Sequence, residues 1–305
     1  MKLQLAALTL AAATALAPVA GAQGMDNDPA LQQTVRSDEA IAPAGEQAVI
    51  SAGHVDLGAT FDGDELIFLA RDDSQDPPVW RRLNDVVFQV SDDAKQTLPD
   101  TGAFDFTGAG AGDDVWVIPQ TEVQGVPWLG WNTQSPSLLE RSSNGVSLEF
   151  GGHEGDGDFS LFLQPGGFHE PQLLWSSRED GTQPMWVEPN THTHANWVFT
   201  QPGVQLVGVR AVVKDNEGNT HTDEEVVRIA VGSDTDPAEA QAAEFSGPWR
   251  GAENGDENEA TDGTTDAAAG SSAGSNAGLL VALGIGVLVV ALVALLVVRS
   301  RKGRV

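Results

Sequence analysis

Short apolar runs rich in β-branched and aromatic residues recur through the middle of the chain, separated by Gly, Pro, Asn and Asp. The runs at 49–50, 54–61, 65–71, 86–91, 115–118, 146–150, 159–163, 173–176, 197–200, 204–213 and 225–231 each read as a β-strand. Alternation is plain in Val146-Ser147-Leu148-Glu149-Phe150 and in Val86-Val87-Phe88-Gln89-Val90, where every second side chain is apolar and one face suits a core. No useful length of 47–232 carries the spacing of an amphipathic helix. The pattern predicts an all-β fold over 47–232, an immunoglobulin-like (PKD-like) β-sandwich.

The flanks break this pattern. Residues 23–46 are polar and without period, and read as a flexible leader. Residues 233–276 are dominated by Ala, Gly, Ser, Thr, Asp and Glu, with ten acidic residues against a lone Arg250. That composition predicts an acidic disordered linker that holds the folded part away from a surface. Two longer apolar runs lie at the ends. Residues 1–22 read as a signal peptide, with Lys2 before an apolar stretch and Ala20-Gly21-Ala22 as a small-x-small cleavage site. Residues 277–298 form an uncharged run long enough, at about 1.5 Å per residue, to span a bilayer as a helix. The basic tail 299–305 follows at once and places that end in the cytoplasm. The expectation is a single-pass cell-membrane protein with its N-terminal domain extracellular.

Charge narrows the partners. The chain of 305 residues has 16 Lys+Arg against 44 Asp+Glu, a net charge of −28. Such a surface concentrates cations and cannot supply the phosphate contacts that nucleic-acid binding needs. There is no cysteine, which excludes disulfides and thiolate metal sites. Leu98-Pro99-Asp100-Thr101-Gly102 matches a sortase pattern, but it lies far upstream of the terminal apolar run and reads as a turn.

The closing region is the most diagnostic. Asn196-Trp197-Val198-Phe199-Thr200 leads through Gln201-Pro202-Gly203 into a long strand, a polar tip at 214–222 and a last strand. Asn196, Trp197, Phe199, Pro202 and Gly203 are the structural motif, with Pro-Gly suited to a type II turn. Gln205 stands where immunoglobulin-like domains usually carry Tyr, so a tyrosine corner is not available. Three stretches, Gly53-His54-Val55-Asp56-Leu57-Gly58, Pro78-Val79-Trp80 with Asp85-Val86-Val87-Phe88, and Thr191-His192-Thr193-His194-Ala195-Asn196-Trp197, carry a further likeness. Through them the chain resembles the actinobacterial surface-anchored protein domain, also called the choice-of-anchor M domain. The resemblance implies export, anchoring by a sortase motif or membrane helix, and association with a metal-type ABC transporter. A surface receptor of that kind would pass a divalent metal or metal complex to the importer. The alternative is a structural or adhesive surface protein without a small ligand.

Histidine spacing supplies the candidate chemistry. His192 and His194 are two apart, as are His54 and Asp56, so on extended strands each pair projects from one face. Three imidazoles and a carboxylate suit Zn or Mn, and His54, Asp56, His192 and His194 are the expected metal ligands. The same residues also fit a purely structural role, bonding backbone around Trp197. His153-Glu154-Gly155-Asp156-Gly157-Asp158 lacks full EF-hand spacing and reads as a solvated turn. Trp128-Leu129-Gly130-Trp131 offers either stacking faces for a ligand or core packing. There is no HExxH, GxSxG, Walker loop or dinucleotide fingerprint, so the chain is read as a non-enzyme with no catalytic residue and no organic cofactor.

Overall fold

The computed structural model describes residues 33–74, 76–166 and 169–247. Among the described residues seventeen strands form three sheets. In spatial order, the first sheet contains β1 (Ala40–Ile41), β5 (Val79–Arg82), β4 (Glu65–Asp72), β3 (Gly53–Asp62), β9 (Pro127–Asn132) and β14 (His192–His194). The second contains β13 (Gln183–Val187), β10 (Val146–Glu154), β16 (Gly203–Lys214), β17 (Thr220–Val231), β6 (Val86–Val90) and β2 (Ala48–Ile50). The third contains β12 (Gln172–Ser176), β11 (Phe159–Leu163), β15 (Asn196–Phe199), β8 (Asp114–Ile118) and β7 (Lys95–Thr97). The two α-helices, α1 (Pro136–Arg141) and α2 (Pro237–Ala242), are one and a half turns each. The all-β expectation holds. Most ladders are antiparallel, but β3–β9, β1–β5, β17–β6 and β2–β6 run parallel.

One apolar cluster draws on all three sheets. Val55, Leu57 and Ala59 of β3, Leu129 and Trp131 of β9, Val207, Val209 and Ala211 of β16, and Trp197 and Phe199 of β15 all belong to it. Burying each large side chain contributes about 1.5–3 kcal/mol, which fixes the inward face of every strand. Register then decides the outward face. On β3 and β9 the residues between these core positions are His54, Asp56 and Gly58, and Trp128, Gly130 and Asn132. The first sheet therefore turns a polar face outward, and the metal candidates lie on it.

Three features differ from the sequence reading. Residues 33–46 are docked on the fold rather than forming a flexible leader. Val35 packs with Ile67, Leu69 and Trp80, while Glu39 is ion-paired to Arg71. Residues 233–247, expected as linker, are docked too: α2 covers the second sheet through buried Ala240, and Phe245 seats over Gly208. Sparse apolar anchors in polar sequence hide both segments from a periodicity reading. Lastly, β1, β5, β7, β9 and β13 were not expected as strands, and β9 matters most. Pro127 occupies its first position, where a missing N–H is tolerated, and Gly130 its middle.

Other expectations hold. Leu98–Gly102 turns inside the folded body, with Gly102 at φ +70°. Asp215 Oδ1 accepts from the amides of Glu217 and Asn219 to shape the β16–β17 tip. The Pro202-Gly203 pair differs from the type II turn expected: Gly203, at φ +120°, opens β16 opposite Val231. The segments expected as a signal peptide (1–22), a membrane helix (277–298) and a basic tail (299–305) lie outside the described residues. Among the described residues no helix is long and apolar enough to cross a membrane.

Candidate metal centre

Three adjacent strands bring the ligands together. Asp56 pairs with Gly130 across the parallel β3–β9 ladder, and His194 pairs with Gly130 across the antiparallel β9–β14 ladder. Asp56 and His194 thus stand in one row, separated by two strand spacings of roughly 4.8 Å each. His54 lies one step along β3, opposite Trp128, and His192 lies opposite Asn132. Gly130 sits between them, and its missing side chain is what lets the two flanking strands lean their ligands inward. A Cβ there would stand 2.6 Å from the Thr193 carbonyl oxygen, 2.7 Å from Asp56 Oδ1 and 2.8 Å from His194 Cε1.

All four expected ligands meet. The Nε2 atoms of His54, His192 and His194 are 2.9–3.1 Å apart. Asp56 Oδ1 stands 3.1 Å from His192 Nε2, 3.6 Å from His194 Nε2 and 3.8 Å from His54 Nε2. These six separations place one point about 2.0 Å from all four atoms, within the roughly 2.0–2.2 Å range of zinc–imidazole and zinc–carboxylate bonds. The four residues can hold a metal ion, and they are the one such group among the described residues.

Proton positions sharpen the case. His54 Nδ1 lies 2.5 Å from Asp73 Oδ1, so in the neutral ring it donates there and Nε2 presents a lone pair. Burial holds the His194 imidazole down to about 3, so this ring is neutral. Lone pairs from imidazoles this close repel unless a proton or cation lies between them. The opposite oxygen of Asp56 is held from outside, accepting from Gln33 Nε2 at 2.5 Å and Asn132 Nδ2 at 3.2 Å. Burial pushes the Asp56 carboxyl up, but the His192 hydrogen bond and the surrounding imidazoles outweigh it and leave it below the usual range. Burial likewise opposes charge on His54, and the Asp73 bond with the Asp56 field leaves its value raised.

A layer the sequence reading missed surrounds this centre. Arg71 donates through Nε and Nη2 to both oxygens of Glu39, and through Nη1 to Gln33 Oε1 and Asp73 Oδ2, each at 2.8 Å. Glu39, Asp56 and Asp73 set three carboxylates against one guanidinium, an excess of two negative charges that a divalent cation would neutralise. No motif could reveal this layer, since Gln33 and Glu39 come from unpatterned sequence. Trp128 stacks on His194 with ring centroids 4.1 Å apart. It and Trp131 are buried, so the tryptophan pair serves packing. A groove of about 880 Å³ along the third sheet reaches Trp128 and His194 at one end, with Val115, Val117, Phe162 and Val198 in its walls.

No family model, curated protein or solved structure matches the chain. The other histidines stand elsewhere. His153 bonds Gln205 Oε1 at 2.6 Å, and His221 bonds Asp215 Oδ2 at 3.0 Å. The 153–158 loop gathers no metal group: Glu154 accepts from Ser246, and Asp158 faces Ser177 and Arg178. Asn196 Oδ1 accepts from the amide of Gln120, while Trp197 and Phe199 are wholly buried, so the motif serves the fold.

Proposed function

We propose that this chain is a membrane-anchored extracellular receptor of the cell envelope that binds one zinc ion through His54, Asp56, His192 and His194. The carrying observation is the convergence of three Nε2 atoms and one carboxylate oxygen on a point about 2.0 Å from each, a zinc bond length. Four protein donors complete a tetrahedron, the arrangement of sites that hold zinc rather than use it on substrate. That supports binding over catalysis. The anchor is the apolar run 277–298, and the acidic segment before it provides reach.

The choice-of-anchor M resemblance extends this reading to a role: the domain hands its metal to an ABC importer in the same membrane. Its immunoglobulin-like character rests on the closing strands. Gln205 Nε2 there donates to the carbonyl of Gln201, four residues upstream, the task a corner tyrosine performs. One observation favours a second reading, a structural or adhesive surface protein with the ion as a permanent staple. The ligand side chains are only 0–8% exposed.

Calorimetric titration of the full chain with Zn²⁺ tests the site, with one ion per chain expected. His192→Ala should weaken binding at least about 100-fold, and Asn132→Ala, which removes a bond to Asp56 and the acceptor of the Gln134 amide but no ligand, about 10-fold. Affinity unchanged in His192→Ala would refute the proposal.

A further inference from the structure

The ligand side chains are too enclosed for an ion to enter or leave without movement, their exposure being 8% at His54, 0% at Asp56, 6% at His192 and 3% at His194. The walls around them differ in how firmly they are held. β3 and β9 lie inside the first sheet with ladders on both sides. Trp128 is fixed by its strand, by its stack on His194 and by an Nε1 bond to the Gln120 carbonyl. Two walls remain, the edge strand β14, whose three residues all pair with β9, and the segment 33–41.

That segment crosses the polar face of the first sheet with little backbone pairing, since only Ala40 and Ile41 join a ladder, to Val79 and Trp80. Side chains hold the rest. Val35 sits in a small cluster with Ile67, Leu69 and Trp80. Glu39 takes both arms of Arg71 and the indole N–H of Trp80. Gln33 reaches deepest, donating to Asp56 Oδ2 at 2.5 Å while accepting from Arg71 Nη1 at 2.8 Å. Arg71 in turn holds Asp73, which orients His54. Two hydrogen-bond chains therefore run from this segment to metal ligands, one through Gln33 to Asp56 and one through Glu39, Arg71 and Asp73 to His54.

We propose that segment 33–41 is the gate for metal exchange, with Gln33 and Glu39 as positioning residues that latch it onto the zinc ligands. This rests on the zinc reading above. When the latch is closed, Asp56 and His54 are aimed at the ion and solvent is excluded. When it lifts, Asp56 loses Gln33 and keeps Asn132, Arg71 loses Glu39 and holds Asp73 less firmly behind His54, and the centre opens on that side. Segments held by few backbone bonds open at low free-energy cost, and 33–41 has two of its residues in a ladder where β14 has all three. The coupling is reciprocal: bound metal strengthens latching by the same factor by which latching strengthens metal binding. A gate of this kind reconciles a buried site with a receptor that must give up its ion.

Zinc release from the full chain into excess chelator, read with a zinc-responsive dye, tests the gate. Gln33→Ala and Glu39→Gln should each speed release about 10-fold or more, with Glu39→Asp in between. The Co²⁺-loaded variants should keep the wild-type tetrahedral visible absorption, a signature that simple loss of ligation would abolish. Hydrogen exchange across 33–42 should slow on zinc loading while that of 225–231 stays constant. Wild-type release rates in both variants, a lost tetrahedral spectrum, or exchange across 33–42 indifferent to zinc would each overturn the gate and leave the zinc site standing. A wild-type chain that retains no zinc would overturn both.

Discussion

Gly130→Ala perturbs the centre without removing any ligand. The added methyl group would stand 2.7 Å from Asp56 Oδ1 and 2.8 Å from His194 Cε1, with the Thr193 carbonyl oxygen at 2.6 Å. The carbonyl is backbone, tied into the β14–β9 ladder, so most of the yielding falls on the two ligands. Each must retreat by several tenths of an ångström, a large displacement for a bond of about 2.0 Å. Overpacking of a well-filled site costs about 1–3 kcal/mol, which corresponds to roughly 5- to 150-fold weaker zinc binding if the cost falls on the bound state. The assay is competition titration against a chelator of known affinity, with thermal melting of metal-free protein alongside. Gly208→Ala is the control, because its Cβ would meet the Phe245 ring at 2.6 Å, away from the ligands. It should lower the melting temperature and leave zinc affinity alone. Gly130→Ala binding zinc as tightly as wild type, with no loss of metal-free stability, would refute the close packing on which the site rests.

Three further outcomes follow from the same contacts. Gln205→Leu should cost about 1–3 kcal/mol by chemical denaturation, because it strips partners from the Asp156 and Gln201 carbonyls and from His153 while zinc stoichiometry stays at one. Phe245→Ala should cost roughly 3 kcal/mol, since this buried ring closes a cluster with Leu206 and Val226; a neutral result would return that segment to the linker. Burial raises the Glu39 carboxyl, but Arg71 outweighs it and holds the group below its ordinary 4.5. The folded value being the lower one, Glu39 stabilises the docked segment fully above about pH 4.5, and that stability is lost as pH falls through the folded value. Hydrogen exchange across 33–42 should therefore rise in acid for wild type, and Glu39→Gln should lack this component.

The pairs His54/Asp56 and His192/His194 were legible in the sequence because a strand turns alternate residues to one face, so each pair shares a direction wherever its strand lies. The all-β class was legible for a similar reason, in runs such as Val146–Phe150. What joins the two pairs was not legible. β9 carries a proline and a glycine that argue against a strand, yet Pro127 sits where its missing N–H costs nothing and Gly130 provides the space in which the ligands meet. The latch was hidden for another reason. Gln33, Val35 and Glu39 anchor the segment from within polar sequence, and isolated anchors generate no period. Trp128 shows the opposite failure, since an aromatic that could face a ligand is instead stacked on His194.

The central claim is that three imidazoles and one carboxylate close on a single divalent ion. X-ray absorption at the zinc edge of the loaded full chain tests it most directly. The expected spectrum has four nitrogen or oxygen neighbours at about 2.0 Å, with outer-shell scattering from three imidazole rings. Zinc lost on dialysis, or a spectrum with fewer than three imidazoles, would contradict it.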